Sequence, residues 1–148
     1  MYEILLPIHN VLRWLVLAAA LFAVAGAWRG VLAKRGYAKT DRIGAVAFTA
    51  SLDLQLILGL ALYAISPMVR TAMADVGAAM AVRDLRFFLV EHLLLMVLAV
   101  VFVHVGSIRA KRAAEPAKKH KQAAIFYTIA LLLMLAAIPW WRPLFPGL

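Results

Sequence analysis

Cysteine is absent from the chain, which removes disulfides, thiolate metal sites and thiol catalysis together. Acidic residues are scarce: 7 Asp and Glu stand against 16 Lys and Arg, a formal net charge of +9. The polar stretches of a soluble domain are missing too. Such a domain is roughly 45–50% apolar, whereas 66% of these 148 residues are hydrophobic. Nothing has the spacing of a nucleophile–base pair, a phosphate loop or a metal motif such as HxxxH. Internal repeats and low-complexity segments are lacking as well. What remains is a series of long apolar runs separated by short basic ones, the pattern of an integral membrane protein. The positive charge therefore reports topology, not nucleic-acid binding.

A membrane-crossing helix needs about 20 mainly apolar residues. The sequence predicts four, over residues 4–28, 43–65, 86–107 and 123–141, in one all-α domain covering 1–148. Pro7 suits the first turn of the first helix, where its missing N–H costs nothing. Asp41 is the expected N-cap of the second, Ser66-Pro67 its end, and Pro139 the end of the fourth. Ala23-Val24-Ala25 mimics a signal-peptide cleavage site. MYEILLPIHN supplies no positive n-region, however, and Arg13 interrupts the apolar run, so this segment is expected to persist as a span.

Arg29, Lys34, Arg35, Lys39 and Arg42 follow the first span against Asp41 alone. Arg109, Lys111, Arg112, Lys118, Lys119 and Lys121 follow the third against Glu115 alone. The positive-inside rule puts both loops in the cytoplasm and both termini outside, in a bacterial inner membrane. Trp14, Tyr63, Phe87, Phe88, Trp140 and Trp141 then gather as an aromatic belt at the outer interface. Between the second and third spans, PMVRTAMADVGAAMAVRD repeats Val69, Met73, Val76 and Met80 at helical spacing. That predicts a short amphipathic helix on the outer surface, a connector or a lid. AAEPAKKHK is expected to be a cytoplasmic turn with His120 in solvent.

Ionisable groups inside a membrane face the protein interior and pair. Counting turns from the outer side, His9, Asn10, Arg13, Asp53, Glu91 and His92 converge in the outer half of the bundle. Arg13 is the expected counter-charge of Glu91, of Asp53, or of both. His9 and His92 project from two different helices at matched depth, which is what axial ligation of a b-type haem requires. Arg13 and Gln55 would then meet the rest of that cofactor. His104 lies about 18 Å further along its helix than His92 and has no histidine partner at its own depth. Two other readings account for the same residues. One is an accessory or assembly subunit of a larger membrane complex, its polar cluster structural. The other is a proton or ion relay through Asp53, Glu91 and His92.

HNVLRW at 9–14, DLQLILGLALY at 53–63, RFFLVEHLLLM at 86–96 and AIFYTIALLLMLAAIPWW at 124–141 carry a resemblance along almost the whole chain. They resemble a family of small bacterial four-helix membrane proteins commonly labelled hypothetical or cytochrome b-like. The resemblance marks His9, Arg13, Gln55, Glu91 and His92 as the positions to follow. It also implies a departure, because Asp53 stands where some relatives carry histidine. The leading reading of the residues themselves, His9 and His92 above all, is a haem-binding electron-transfer subunit serving a quinone pool or a redox partner within a larger complex.

Overall fold

In the computed structural model, residues 1–144 are described; the last four residues of the expected 1–148 domain lie outside them. The chain forms helices α1 (Tyr2–Leu32), α2 (Lys39–Ile65), α3 (Pro67–Ala74), α4 (Val76–Ala81), α5 (Arg83–Arg86), α6 (His92–Arg112) and α7 (Pro116–Ala137). A π-helical turn, Phe87–Glu91, joins α5 to α6 without a break. Among the described residues, four helices are long and apolar enough to cross a membrane: α1, α2, the continuous stretch Arg83–Arg112, and α7. They form a ring in which α1 neighbours α2 and α7, and α6 neighbours α2 and α7. Consequently α1 and α6 face each other across the diagonal.

Alanines are prominent in the interior beside a few large side chains such as Phe48, Leu52 and Tyr127, and many large apolar side chains face outward. Ala20, Ala23, Ala27, Ala99, Ala110, Ala123, Ala124 and Ala130 are buried, and Leu21, Phe22, Ile57, Leu94, Val101 and Leu132 are exposed. Lipid is as apolar as leucine, so membrane helices gain from close backbone approach and not from sequestering leucines. Gly106 shows how close the approach is. A Cβ there would sit 2.5 Å from Phe126 Cβ, so only glycine lets α6 and α7 meet.

The first three spans are longer than the apolar runs alone predict, and the fourth is displaced. It starts at Pro116 and ends at Ala137, short of the expected residue 141, because Pro139 cannot continue the helix. α1 begins at Tyr2, so Pro7 lies in its second turn and not at the start. α2 begins at Lys39, with Ala38 and not Asp41 as N-cap. Asp41 instead reaches back from the first turn: its Oδ2 accepts the Ala38 N–H at 2.8 Å, and its carboxylate pairs with Arg35 at 2.6 Å. α7 begins at Pro116, a residue favoured at the first helical position. This early start overturns the expected turn and the solvated His120. The imidazole is 0% exposed and packs against Gly30, whose missing Cβ would lie 2.0 Å from Nδ1.

The connection after α2 is two short helices. Ser66 ends α2 and caps α3, its Oγ accepting the Val69 N–H at 3.4 Å. Asp75 breaks the run and caps α4 through Ala78 N–H at 2.9 Å. The break changes the buried face. Val69, Ala72 and Ala79 pack with Leu89, whereas Met73 and Val76 of the expected stripe are exposed.

Candidate cofactor-binding site

At the end of the bundle where α1 begins and α7 ends, a cavity of about 350 Å³ opens between α1, α2, α3, α6 and the described residues after α7. Its walls are chiefly apolar, among them Leu6, Val16, Leu17, Leu62, Val69, Phe88, Met96, Met134 and Ile138. His9, Asn10, Arg13, Gln55, Tyr63, Ser66, His92 and Arg142 supply the polar groups. An apolar hollow with a few convergent polar side chains is the general form of a ligand site, and this volume is at the small end of the usual range.

His92 owes its position to the π turn. Its backbone N–H reaches the Phe87 carbonyl, five residues back. π turns recur at functional sites because the added residue re-aims the side chains beyond it. Tyr63 Oη donates to the Leu89 carbonyl at 2.9 Å and ties the turn to α2. The His92 ring then lies against Phe87 and Phe88, and its Nδ1 is 2.7 Å from the Ala137 carbonyl. A ring nitrogen facing a carbonyl oxygen must carry the proton, which leaves Nε2 as a free lone pair. Metal-binding histidines are commonly oriented by this kind of hydrogen bond.

His9 approaches from the diagonal helix. The two imidazole centroids are 6.3 Å apart, with planes at 69°. Gln55, almost fully buried, donates from Nε2 to the His9 carbonyl at 3.1 Å and contacts His9 Nε2 at 3.2 Å. His9 Nδ1 has no hydrogen-bond partner among the described residues, and neither do Gln55 Oε1 and Arg13 Nε. These three buried polar atoms belong to side chains lining one cavity. Buried polar atoms without partners are rare, and each calls for an explanation.

The charges are distributed differently from the expectation. Arg13 donates to the Leu144 carbonyl and does not pair with Glu91 or Asp53. Glu91 pairs with Arg86 at 2.7 Å, and both side chains are 43% exposed. The π turn explains this pair: at 3.6 residues per turn, positions i and i+5 diverge by about 140°, whereas i→i+5 bonding brings them to one side. Asp53 pairs with His104, Nε2 to Oδ1 at 2.8 Å, on the α2–α6 seam. The expected network of Arg13, Asp53 and Glu91 is thus three separate pairings. Asp53, Glu91 and His92 do not join into one hydrogen-bonded chain among the described residues. Ser51, on the same side of α2 as Gln55 in the sequence, bonds its own helix at the Phe48 carbonyl and does not line the cavity.

The segment after α7 was legible only as the end of a helix, yet it closes the site. Ile138, Pro139, Arg142 and Pro143 line the cavity. Trp141 anchors the segment: its Nε1 donates to Asp84 Oδ1 at 2.8 Å, and the Arg83 guanidinium lies 3.9 Å from its ring centre. Arg142 stacks over Phe88 at 5.2 Å. Two arginines therefore line the cavity, and among the described residues no Asp or Glu lines it and neither arginine forms an ion pair.

Comparison with known proteins finds no matching family model, curated protein or solved structure.

Proposed function

We propose that the chain is a haem-binding electron-transfer subunit of a bacterial inner membrane, with His9 and His92 as axial ligands of a b-type haem. The observation that carries this reading is the imidazole pair: two neutral-type rings from diagonal helices, 6.3 Å apart, at the wall of an apolar cavity. Two nitrogens each about 2 Å from one metal ion require ring centroids roughly 6 Å apart. His92 supports ligation as it stands, through Nε2. His9 does so once Gln55 releases its ring nitrogen, at the cost of one hydrogen bond of about 0.5–1.5 kcal/mol. Arg13 and Arg142 supply the positive charge that two propionate groups need, and no Asp or Glu side chain among the described residues lines the cavity to compete for it.

Bound there, haem would supply one-electron chemistry at its iron. The chain's own residues fix the imidazoles, hold the propionate end near Arg13 and Arg142, and keep the ring in apolar surroundings. The positive-inside rule orients the cavity outward, with both termini outside and the basic loops in the cytoplasm. Electrons would pass to or from a quinone pool or a redox partner in a larger complex. The family resemblance to cytochrome b-like four-helix proteins supports the same reading.

One observation favours the alternative of an accessory or assembly subunit: Gln55 already engages both the ring and the backbone of His9, as a structural network would. Haem titration of the purified protein separates the two. Stoichiometric binding lost in His92→Ala supports ligation; equal, weak binding by both proteins supports the accessory subunit.

A further inference from the structure

At the opposite end of the bundle, α2 and α6 present matched stripes. Arg42, Ala45, Val46 and Thr49 recur at i, i+3, i+4 and i+7 on α2; Lys111, Ile108, Ser107 and His104 recur in reverse on α6. The helices meet at Asp53–His104, 2.8 Å apart. From there toward the basic loops they enclose a cleft of about 530 Å³, lined also by Tyr127 and Lys119 of α7 and by Tyr37. This seam is the least extensive of the four neighbouring helix contacts.

Arg42, Lys111 and Lys119 all line this cleft, and no carboxylate does. None of the three takes part in an ion pair among the described residues. Three like charges around one hollow repel unless an anion lies among them. Below them, Ser107 Oγ and Tyr127 Oη are 2.8 Å apart and offer hydroxyls. Beside them, Val46 is 61% and Ile108 48% exposed, apolar surface where the spanning helices face hydrocarbon. Cations at the bundle's end, hydroxyls beneath and apolar flanks complement a phospholipid from headgroup to acyl chain.

We propose that this cleft is a binding site for an anionic phospholipid, its phosphodiester held by Arg42, Lys111 and Lys119 and its acyl chains running along Val46 and Ile108. A soluble phosphate could use the cations but not the apolar flanks. The site is separate from the outer cavity and stands whether or not haem binds there.

Native mass spectrometry of the delipidated full chain tests it, with phosphatidylglycerol, phosphatidylcholine and inorganic phosphate as probes. Each basic residue near a membrane surface contributes enough to change affinity about fivefold. Lys111→Gln and Lys119→Gln, made singly, are each expected to weaken phosphatidylglycerol retention by about that factor. Lys121→Gln, a basic residue that does not line the cleft, is expected to leave it unchanged. Monodisperse elution and unchanged helical circular dichroism establish that each variant is folded. Equal retention of phosphatidylglycerol and phosphatidylcholine would overturn the proposal. So would equal losses in all three variants, or binding of inorganic phosphate with no preference for the lipid.

Discussion

His104 Nε2 lies 2.8 Å from Asp53 Oδ1, and this pair joins α6 to α2 on the bundle's least extensive seam. Both side chains are about 40% exposed, so the pair lies at the edge of the bundle and not in its core. Hydrogen bonds between membrane helices contribute about 0.6 kcal/mol on average and up to about 1.7 kcal/mol. His104→Ala is expected to lower stability within that range, read as the thermal midpoint in detergent. Asp53→Asn keeps a hydrogen-bonding atom in place and is expected to retain most of the stability. Neither substitution touches the cavity at His9 and His92, so ligand binding there is expected to be unchanged.

Glu91 and Arg13 part company in function as they do in space. The exposed Arg86–Glu91 pair is expected to be worth no more than about 1 kcal/mol. Glu91→Gln should therefore leave haem affinity near the parent value. Arg13→Gln removes a charge from the cavity itself and is expected to weaken haem binding by roughly ten- to a hundredfold, as loss of a charge-assisted hydrogen bond of about 1.5–3 kcal/mol implies. Parallel haem titrations of the two variants check the contrast.

Gly30 and Gly106 are expected to tolerate nothing larger. An alanine Cβ at 30 would lie 2.0 Å from the fully buried His120 ring, and one at 106 would lie 2.5 Å from Phe126 Cβ. Overpacking of this kind costs typically 1–3 kcal/mol. Gly30→Ala is expected to fall in that range, with much of the loss recovered in the Gly30→Ala/His120→Ala double variant. Gly106→Ala has no such remedy, because the clash is with the first side-chain atom of α7 and the helices must separate. Thermal unfolding of the three variants reads this directly.

Trp141 is expected to control access to the cavity. Its indole N–H and ring bind Asp84 and Arg83, and that anchorage holds Arg142 and Pro143 against the cavity. Trp141→Ala should speed ligand release several-fold while helical content stays constant. Stopped-flow transfer of haem to an apo-globin acceptor measures the rate.

Much of this architecture is legible in the sequence because the bilayer imposes it. Four long apolar runs give four helices, and counting turns from their outer ends brings His9 and His92 to one depth. The charge pairings were not legible, for two physical reasons. A depth count assumes 3.6 residues per turn throughout, and the π turn at Phe87–Glu91 breaks that register next to Glu91. Helix starts set by hydropathy also miss polar first turns. α2 begins at Lys39 and not at residue 43, and its Asp53 meets His104 on the α2–α6 seam, a pairing hidden because the depth count looked for a second histidine and not for a carboxylate at that level. His120 was hidden by a start set too late at α7, compounded by Gly30, whose missing side chain makes a hole that composition cannot show. The strap formed by residues 138–144 left no signal of its own, because 138–141 read as the end of the fourth span. Trp140 and Trp141 read as interface anchors, and nothing in the sequence shows that Pro139, Arg142 and Pro143 beside them line a cavity.

The most direct test of the haem site is the absorption spectrum of protein produced with ample haem, recorded oxidised and then after dithionite. The expected result is a sharp α band of a six-coordinate b-type haem, abolished in both His9→Ala and His92→Ala variants that still elute as folded protein. A spectrum without that band, from folded protein supplied with haem, would contradict the site. The two imidazoles would then be joints between helices, with Gln55 and the Ala137 carbonyl as their partners.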